Sequence, residues 1–151
     1  LKNNFIQVKK DIEEEVEVFG FENELMQAVM NIVNNTKDAF IVQEEDVEEK
    51  LLFIKLTKTQ THAIITIKDN AGGINPDVIQ KVFEPYFTTK HKSQGTGIGL
   101  YMSHQIICDH MKGALNVNNE KFKYKDMYYN GAVFTIKLKF NTGEEINNYV
   151  I

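Results

Sequence analysis

Residues 31–39 read Asn31-Ile32-Val33-Asn34-Asn35-Thr36-Lys37-Asp38-Ala39 and lie inside the clearest helical pattern of the chain. Apolar side chains recur at helical spacing from Phe21 to Phe40, which predicts an amphipathic helix there. The other side of this helix carries Asn31, Asn35 and Asp38, within a stripe roughly 60° wide. Amide and carboxylate oxygens suit a hydrated cation such as Mg²⁺, although a polar surface alone also explains the stripe.

A glycine-rich segment, Asp69-Asn70-Ala71-Gly72-Gly73, follows a β-hairpin predicted from Leu51–Thr59 and His62–Lys68. Its glycines allow a sharp turn and a close approach to a flat ligand. Its aspartate can accept a hydrogen bond from an exocyclic amine. An ordinary turn is the alternative interpretation.

A second glycine-rich segment, Gly95-Thr96-Gly97-Ile98-Gly99-Leu100, opens a helix predicted from Gly97 to Met111, with Gly113 as its cap. Backbone amides at a helix N-terminus form an anion site, and a glycine hinge is the alternative. The G-x-G-x-G spacing without a preceding strand disfavours a Rossmann fingerprint. The absence of Gly-Lys-Ser/Thr excludes a P-loop.

Aromatic residues precede the second glycine segment in Phe83-Glu84-Pro85-Tyr86-Phe87, which leads into a polar loop over residues 84–96. Aromatics around a proline at the start of such a loop are typical of the latch of a mobile lid, or of a hydrophobic anchor without a ligand role.

The rest of the chain supplies short strands and one short helix. We expect strands at about residues 5–9 and 15–19, a short helix from Pro76 to about Val82, and strands at Ala114–Asn118 and Ala132–Phe140 joined by a charged, tyrosine-rich excursion. Most neighbouring strands are hairpin-like, so the prediction is an α+β fold: a two-layer sandwich with a mixed, mostly antiparallel sheet under about three helices. We expect one domain over residues 1–140 and a weakly ordered tail over residues 141–151.

Composition narrows the function classes. The chain has 151 residues, one cysteine (Cys108) and a net charge of −4, which exclude a disulfide framework, a thiolate metal cluster and a broad nucleic-acid footprint. We see no membrane span and no signal peptide. All 17 basic residues are lysines, so the chain has no arginine with which to clamp a phosphate.

Taken together and in this order, the four segments resemble the ATP-binding catalytic domain of bacterial sensor histidine kinases. This family belongs to the superfamily of DNA gyrase B, the ninety-kilodalton heat-shock chaperone and the MutL ATPases. Residues 31–39 resemble its N box, Asp69 to Gly73 its first glycine box, Phe83 to Phe87 its F box, and Gly95 to Leu100 its second glycine box. The resemblance covers about residues 5–140 and implies the Bergerat-type ATP-binding fold.

The resemblance also implies residue roles. Asn35 is expected to coordinate Mg²⁺ that bridges the ATP phosphates, and Asp69 to read the adenine amine, with Gly73 lining the base pocket. Asn31 and Asp38 are expected to support the metal and phosphate end. Residues Gly95, Thr96, Gly97, Ile98, Gly99 and Leu100 are expected to cover the phosphates. Lys90 in the lid is assigned to the γ-phosphate and Thr135 to the adenine region.

The chain departs from the family in three ways. The lid has no arginine, so any charge stabilisation by the lid has to come from Lys90 or Lys92. Thr36 stands where the family usually has alanine or glycine. The phosphoacceptor histidine with its following acidic residue is missing, because His62, His91, His104 and His110 are followed by Ala, Lys, Gln and Met. We therefore interpret these histidines as surface or packing residues, and expect the acceptor to lie on a separate dimerisation domain.

One position distinguishes the related chemistries. In hydrolysing relatives and in anti-sigma-type serine kinases, a glutamate one helical turn before the metal asparagine acts as general base. That position is Asn31 here, which favours transfer to a histidine, since a neutral imidazole brings its own lone pair. A serine kinase and a nucleotide-binding interaction module without transfer activity are the alternatives.

The expected partners are the dimerisation domain and a response regulator, with neither nucleic acid nor direct membrane contact. We expect a cytoplasmic location, and leave open whether the parent protein is membrane-anchored.

Overall fold

A computed structural model describes residues 5–12, 17–19, 21–43, 47–88, 97–140 and 148–150. The elements follow the chain in this order: β1 Ile6–Ile12, β2 Glu17–Phe19, α1 Glu22–Val42, β3 Lys50–Lys58, β4 His62–Asp69, a 3₁₀ turn Ile79–Lys81, α2 Gly99–His104, β5 Ala114–Tyr124, β6 Met127–Lys139 and β7 Asn148–Val150. Helix α2 continues without a break as a π-helical segment, Gln105–His110.

Five strands form one sheet in the order β1-β3-β4-β6-β5. Strand β1 pairs parallel with β3, and the other three pairs are antiparallel. The predicted mixed, mostly antiparallel sheet is therefore confirmed. Strand β7 pairs with β2 instead, so residues 148–150 of the predicted weakly ordered tail form a strand; residues 141–147 and 151 lie outside the described residues. The domain boundary at residue 140 stays a prediction.

Helices α1 and α2 cover one face of the sheet. Ile32 of α1 and Ile107 of the π-helical segment pack with inward side chains of β4 and β6, among them Ile67, Phe134 and Ile136, all of which are buried. The hydroxyl of Ser103 on α2 donates to the carbonyl of Ala28 on α1 over 2.8 Å, which joins the two helices directly. The predicted apolar stripe of α1 is confirmed, because Leu25, Ile32, Thr36 and Phe40 are all buried.

The third predicted helix, from Pro76 to about Val82, is reduced to the single 3₁₀ turn at Ile79–Lys81. None of its residues is buried, so no packed face extends it into an α-helix. The expected cap of α2 also differs, because the left-handed residue after the π-helical segment is Lys112 (φ 56°) rather than Gly113.

The tyrosine-rich excursion predicted between the last two strands is a continuous hairpin of β5 and β6. Its turn lies at Lys125 and Asp126, which both have positive φ (48° and 64°), and Asn130-Gly131 lies within β6. This hairpin reaches the face of the sheet opposite the helices, where the Phe122 ring meets Phe53 of β3 edge-on at 5.7 Å.

Candidate functional site

Asp69, the last residue of β4, is the centre of the candidate site and is only 3% exposed. One carboxylate oxygen, Oδ1, accepts hydrogen bonds from the backbone amides of Ala71 (3.0 Å) and Ala132 (3.1 Å). The other oxygen, Oδ2, accepts one from the Thr36 hydroxyl at 3.3 Å. The predicted adenine reader therefore joins the first glycine box to α1 and to β6.

Burial raises the pKa of Asp69 above its ordinary value, because a buried carboxylate loses its hydration. The amides of Ala71 and Ala132 and the hydroxyl of Thr36 act in the opposite direction, since each donates to the ionised form. A buried carboxyl group held by three donors at the end of a strand can recognise a ligand by hydrogen bonding.

Two asparagines hold the backbone around Asp69 in place. The side chain of Asn70, 1% exposed, accepts from the amide of Leu51 and donates to the carbonyl of Glu49, both over 2.8 Å. Asn119 of β5 brackets Ile74 in the same manner, accepting from its amide at 2.7 Å and donating to its carbonyl at 2.6 Å. Gly73, expected to line the base pocket, lies against the Asn119 side chain. The sequence carries no local signal for the role of either asparagine, because each bridge joins segments that are distant in sequence.

The polar stripe of α1 carries the predicted metal and phosphate residues. Asn31, Asn35 and Asp38 are all half-buried, and Asn31 lies beside the start of α2. Gly99, the first residue of α2, lies beside Asn31: a Cβ built on Gly99 would stand 3.8 Å from Asn31 Cβ, an ordinary van der Waals distance. The structure thus brings the N box and the start of α2, within the second glycine box, close together.

The amide group of Asn31 is held by Gln27, whose Nε2 donates to Asn31 Oδ1 over 2.9 Å. Asn31 Nδ2 is buried and has no hydrogen-bond partner among the described residues. An unsatisfied donor of this kind fits an anionic oxygen such as that of a phosphate.

The two ends of the predicted lid meet at its base. The amide of Tyr86 donates to the carbonyl of Gly97 over 3.1 Å. Gly97 has φ +73°, and a Cβ on it would stand 2.5 Å from the carbonyl oxygen of Phe87, so only glycine fits. Ile98 and Leu100 are half-buried beside it, and Leu100 packs against the core. The assignments of Lys90, Gly95 and Thr96 fall on residues outside the described ranges.

The F box is anchored through Phe83. Its ring packs against Phe134 of the sheet (centroids 6.3 Å apart) and His104 of α2 (5.2 Å). Tyr86 is 76% exposed and has a positive φ of 64°. His104 is therefore a packing residue and His110 pairs with Glu24 at the surface, as expected for histidines without an acceptor role. His91 lies outside the described residues.

The structure does not bring Thr135 to Asp69. Thr135 pairs with Thr66, and both lie on the sheet face opposite the helices, because Phe134 and Ile136 on either side of Thr135 face the core. A groove of about 360 Å³ on that opposite face is lined by Thr66, Val133 and several lysines. The assignment of Thr135 to the adenine region is wrong, and the hydroxyl at Asp69 belongs to Thr36.

The donor set bears on the expected Mg²⁺. Among the described residues there is no cluster of three or more histidine, cysteine or acidic side chains that could hold a metal by itself. A site built from one asparagine oxygen and the phosphates of a bound nucleotide needs no such cluster, because Mg²⁺ is commonly held by few protein ligands plus substrate oxygens. The half-buried Asn35 on the α1 flank fits that arrangement.

Comparison with known proteins identifies a family model and related proteins that match most of this chain. A family model described as histidine kinase-, DNA gyrase B- and HSP90-like ATPase matches residues 20–142. The two-component sensor PprA of Pseudomonas aeruginosa is 30% identical over 122 residues, which are 80% of this chain and 12% of that protein. Sporulation kinase C of Bacillus subtilis is 31% identical over 119 residues, 79% of this chain and 24% of the relative. The chain thus spans a quarter or less of these relatives.

Solved structures share the fold. The mycobacterial sensor histidine kinase MprB superposes with a TM-score of 0.70 at 24% identity, covering 90% of this chain and 83% of the other. The catalytic domain of histidine kinase ThkA gives a TM-score of 0.71 at 24% identity, covering 89% and 80%. ThkA has also been solved in complex with the response regulator TrrA, with a TM-score of 0.66 at 19% identity, covering 93% and 36%.

Proposed function

Because this chain belongs to the histidine kinase-, DNA gyrase B- and HSP90-like ATPase family, we propose that it binds Mg-ATP and positions the γ-phosphoryl group for transfer to a histidine. That histidine lies on a separate dimerisation domain, so the chain is the catalytic part of a two-component sensor kinase. The observation that carries the proposal is the meeting of distant motifs: Thr36 of the N box donates a hydrogen bond to Asp69, and Asn31 lies beside Gly99 of the second glycine box.

The base end of the site recognises adenine through Asp69. The buried carboxylate already accepts three hydrogen bonds from the protein and keeps acceptor capacity for the exocyclic amine. Gly72 and Gly73, both at positive φ, let the backbone turn away without a side chain in the way of a flat ring. Adenine would therefore be selected by one buried acceptor beside a backbone turn that carries no side chains.

The phosphate end uses donors and an oxygen ligand on the flank between α1 and α2. Asn31 Nδ2, buried and without a partner among the described residues, donates to a phosphate oxygen. The backbone amides at the start of α2 add partial positive charge. Asn35 holds Mg²⁺, which when bound neutralises charge on the phosphates.

Transfer to histidine, rather than to water or serine, is supported by Asn31. An asparagine cannot accept a proton from an attacking water or hydroxyl, whereas a neutral imidazole needs little base assistance. The chain then contributes positioning and charge neutralisation, which are the main sources of catalysis in phosphoryl transfer.

The partners follow from this role. We propose the dimerisation domain of the same kinase as the acceptor and a response regulator as the next acceptor of the phosphoryl group. We further propose a cytoplasmic location for this domain, where ATP is available. No helix within the described ranges has the length and apolar content needed to cross a bilayer.

The test mixes the purified chain with its parent's dimerisation domain and γ-labelled ATP in the presence of Mg²⁺. We expect label on the dimerisation domain, stable to base and labile to acid as a phosphohistidine is, and none when the acceptor histidine is replaced. Nucleotide binding without any transfer would instead support an interaction module. Label stable to acid would support the serine kinase alternative.

A further inference from the structure

The hydroxyl group next to Asp69 comes from an unexpected element. Thr36 lies on α1, is 1% exposed, and donates to Asp69 Oδ2 at 3.3 Å. Water cannot compete for a hydroxyl that is so completely buried, and a β-branched side chain in a helix has restricted χ1 freedom. The contact is thus built into the packing of α1 on the sheet.

The hydrogen-bonding capacity of Asp69 shows what this contact leaves for a ligand. An ionised carboxylate offers about four lone-pair sites. The amides of Ala71 and Ala132 occupy two on Oδ1, and Thr36 occupies one on Oδ2. One site on Oδ2 remains, so a ligand that meets Asp69 must bring a donor.

We propose that Thr36 is a positioning residue that makes the nucleotide site selective for a 6-amino purine over a 6-oxo purine. This inference rests on the proposed function. With the hydroxyl in place, Oδ2 is held as an acceptor directed at the base. The amine of adenine donates a hydrogen bond to Oδ2. The carbonyl oxygen of hypoxanthine or guanine is itself an acceptor and is repelled by Oδ2.

The backbone amides of Ala71 and Ala132 cannot replace the hydrogen bond from Thr36 to Oδ2, because both amides donate to the other oxygen, Oδ1. Without the Thr36 hydroxyl, Oδ2 keeps no protein donor among the described residues, in a site that is nearly closed to water. Burial then favours the neutral carboxyl group. A protonated Oδ2 can donate to a 6-oxo group, so discrimination between the two bases narrows.

The test compares ADP and inosine diphosphate, which differ in the group at purine position six, by calorimetry on the wild-type chain, Thr36→Val and Thr36→Ser. Valine keeps the shape and removes the hydroxyl, while serine keeps the hydroxyl. We expect the preference for ADP to fall about tenfold in Thr36→Val, and to stay within about twofold of wild type in Thr36→Ser. Thermal unfolding of each variant reports whether the fold is intact.

An unchanged preference in a folded Thr36→Val variant overturns the inference, even if its melting temperature is lower, since a purely structural role predicts that result. If Thr36→Val does not fold, Thr36→Ala compared with Thr36→Ser decides the same question. If the wild-type chain binds neither nucleotide, the proposed function itself fails. Tight ADP binding with no effect of Thr36→Val refutes only the role of Thr36.

Discussion

Gly131 of β6 lies so close to Asp69 that a Cβ built on it would stand 1.6 Å from the Asp69 carbonyl oxygen. Neither residue could move away cheaply, because the Asp69 side chain is bonded to the amide of Ala132, the next residue after Gly131. The end of β4 and the middle of β6 are therefore pressed together at the point where the candidate site is built.

Replacing Gly131 with alanine should destabilise the domain by more than about 3 kcal/mol, because the backbone of one strand must shift to admit the methyl group. The measurement is the free energy of unfolding from urea titration. Gly99→Ala is the matched control: its Cβ would meet Asn31 Cβ at an ordinary 3.8 Å. Equal stability of the two variants would contradict the packing described for β4 and β6.

Asp69→Asn should weaken ADP binding by roughly 1–3 kcal/mol while the domain stays folded. The asparagine oxygen can take over the bonds from Ala71 and Ala132, but the amide then presents N–H donors to the adenine amine. Calorimetry checks this result, with the exposed Asp77→Asn as a control of equal charge change. Equal ADP affinity in wild type and Asp69→Asn would mean that Asp69 does not read the base.

Acidification should weaken ADP binding in the wild type before ordinary aspartates titrate. Burial raises the pKa of Asp69 above 3.8, and protonation replaces its free lone pair with a donor. In the ligand-free domain acidification has the opposite effect, on stability. Between pH 3.8 and the raised pKa, Asp69 binds more protons in the folded than in the unfolded state, so its contribution to the free energy of unfolding falls as pH rises. Titrations of ADP affinity on acidification from about pH 8, repeated on Asp69→Asn, should show a larger loss in the wild type than in the variant, because the nucleotide phosphate titrates in both.

Asn35→Ala should abolish phosphoryl transfer, because the oxygen expected to hold Mg²⁺ is lost. Autophosphorylation of the complete kinase is the measurement. The neighbouring Asn34→Ala is the control, since Asn34 is exposed on the same helix and has no assigned role. Normal phosphorylation in Asn35→Ala would refute the metal assignment, and equal loss in both variants would indicate damage to the helix.

The isolated chain should hydrolyse ATP more slowly than about 1 s⁻¹, which is the low end for competent enzymes. The resemblance to the N box puts Asn31 where hydrolysing relatives are expected to carry the general base, and an asparagine cannot take a proton from water. Release of phosphate from Mg-ATP by the purified chain measures this rate. Faster turnover would show that another group activates water, and would favour a hydrolysing role.

Local sequence patterns predicted the elements whose signals lie within one segment. The helix over Phe21 to Phe40 is observed as Glu22–Val42, and the hairpin of Leu51–Thr59 and His62–Lys68 as β3 and β4. In these segments apolar periodicity and burial agree, so tertiary contacts only reinforce the local preference.

The failures arise where tertiary contacts decide. Asn130-Gly131 is typical of a turn, yet both residues lie within β6, where they pair with Lys121 and Glu120 of β5. Residue 131 is glycine because the Asp69 carbonyl leaves no room for a side chain. Likewise, Thr135 and Thr36 cannot be distinguished by residue type. Only strand alternation and helix packing show that Thr36 reaches Asp69, whereas Thr135 faces away.

The hydrogen bond between Tyr86 and Gly97 acts as the stem of a closed loop. Because this hydrogen bond joins Tyr86 to Gly97, the residues between them are not needed to bring the two together. In general, doubling the number of residues between two joined ends adds only about 0.6 kcal/mol to the entropic cost of closure. The number of residues between Tyr86 and Gly97 can therefore change through insertion or deletion while Phe83, Gly97 and the start of α2 keep their positions.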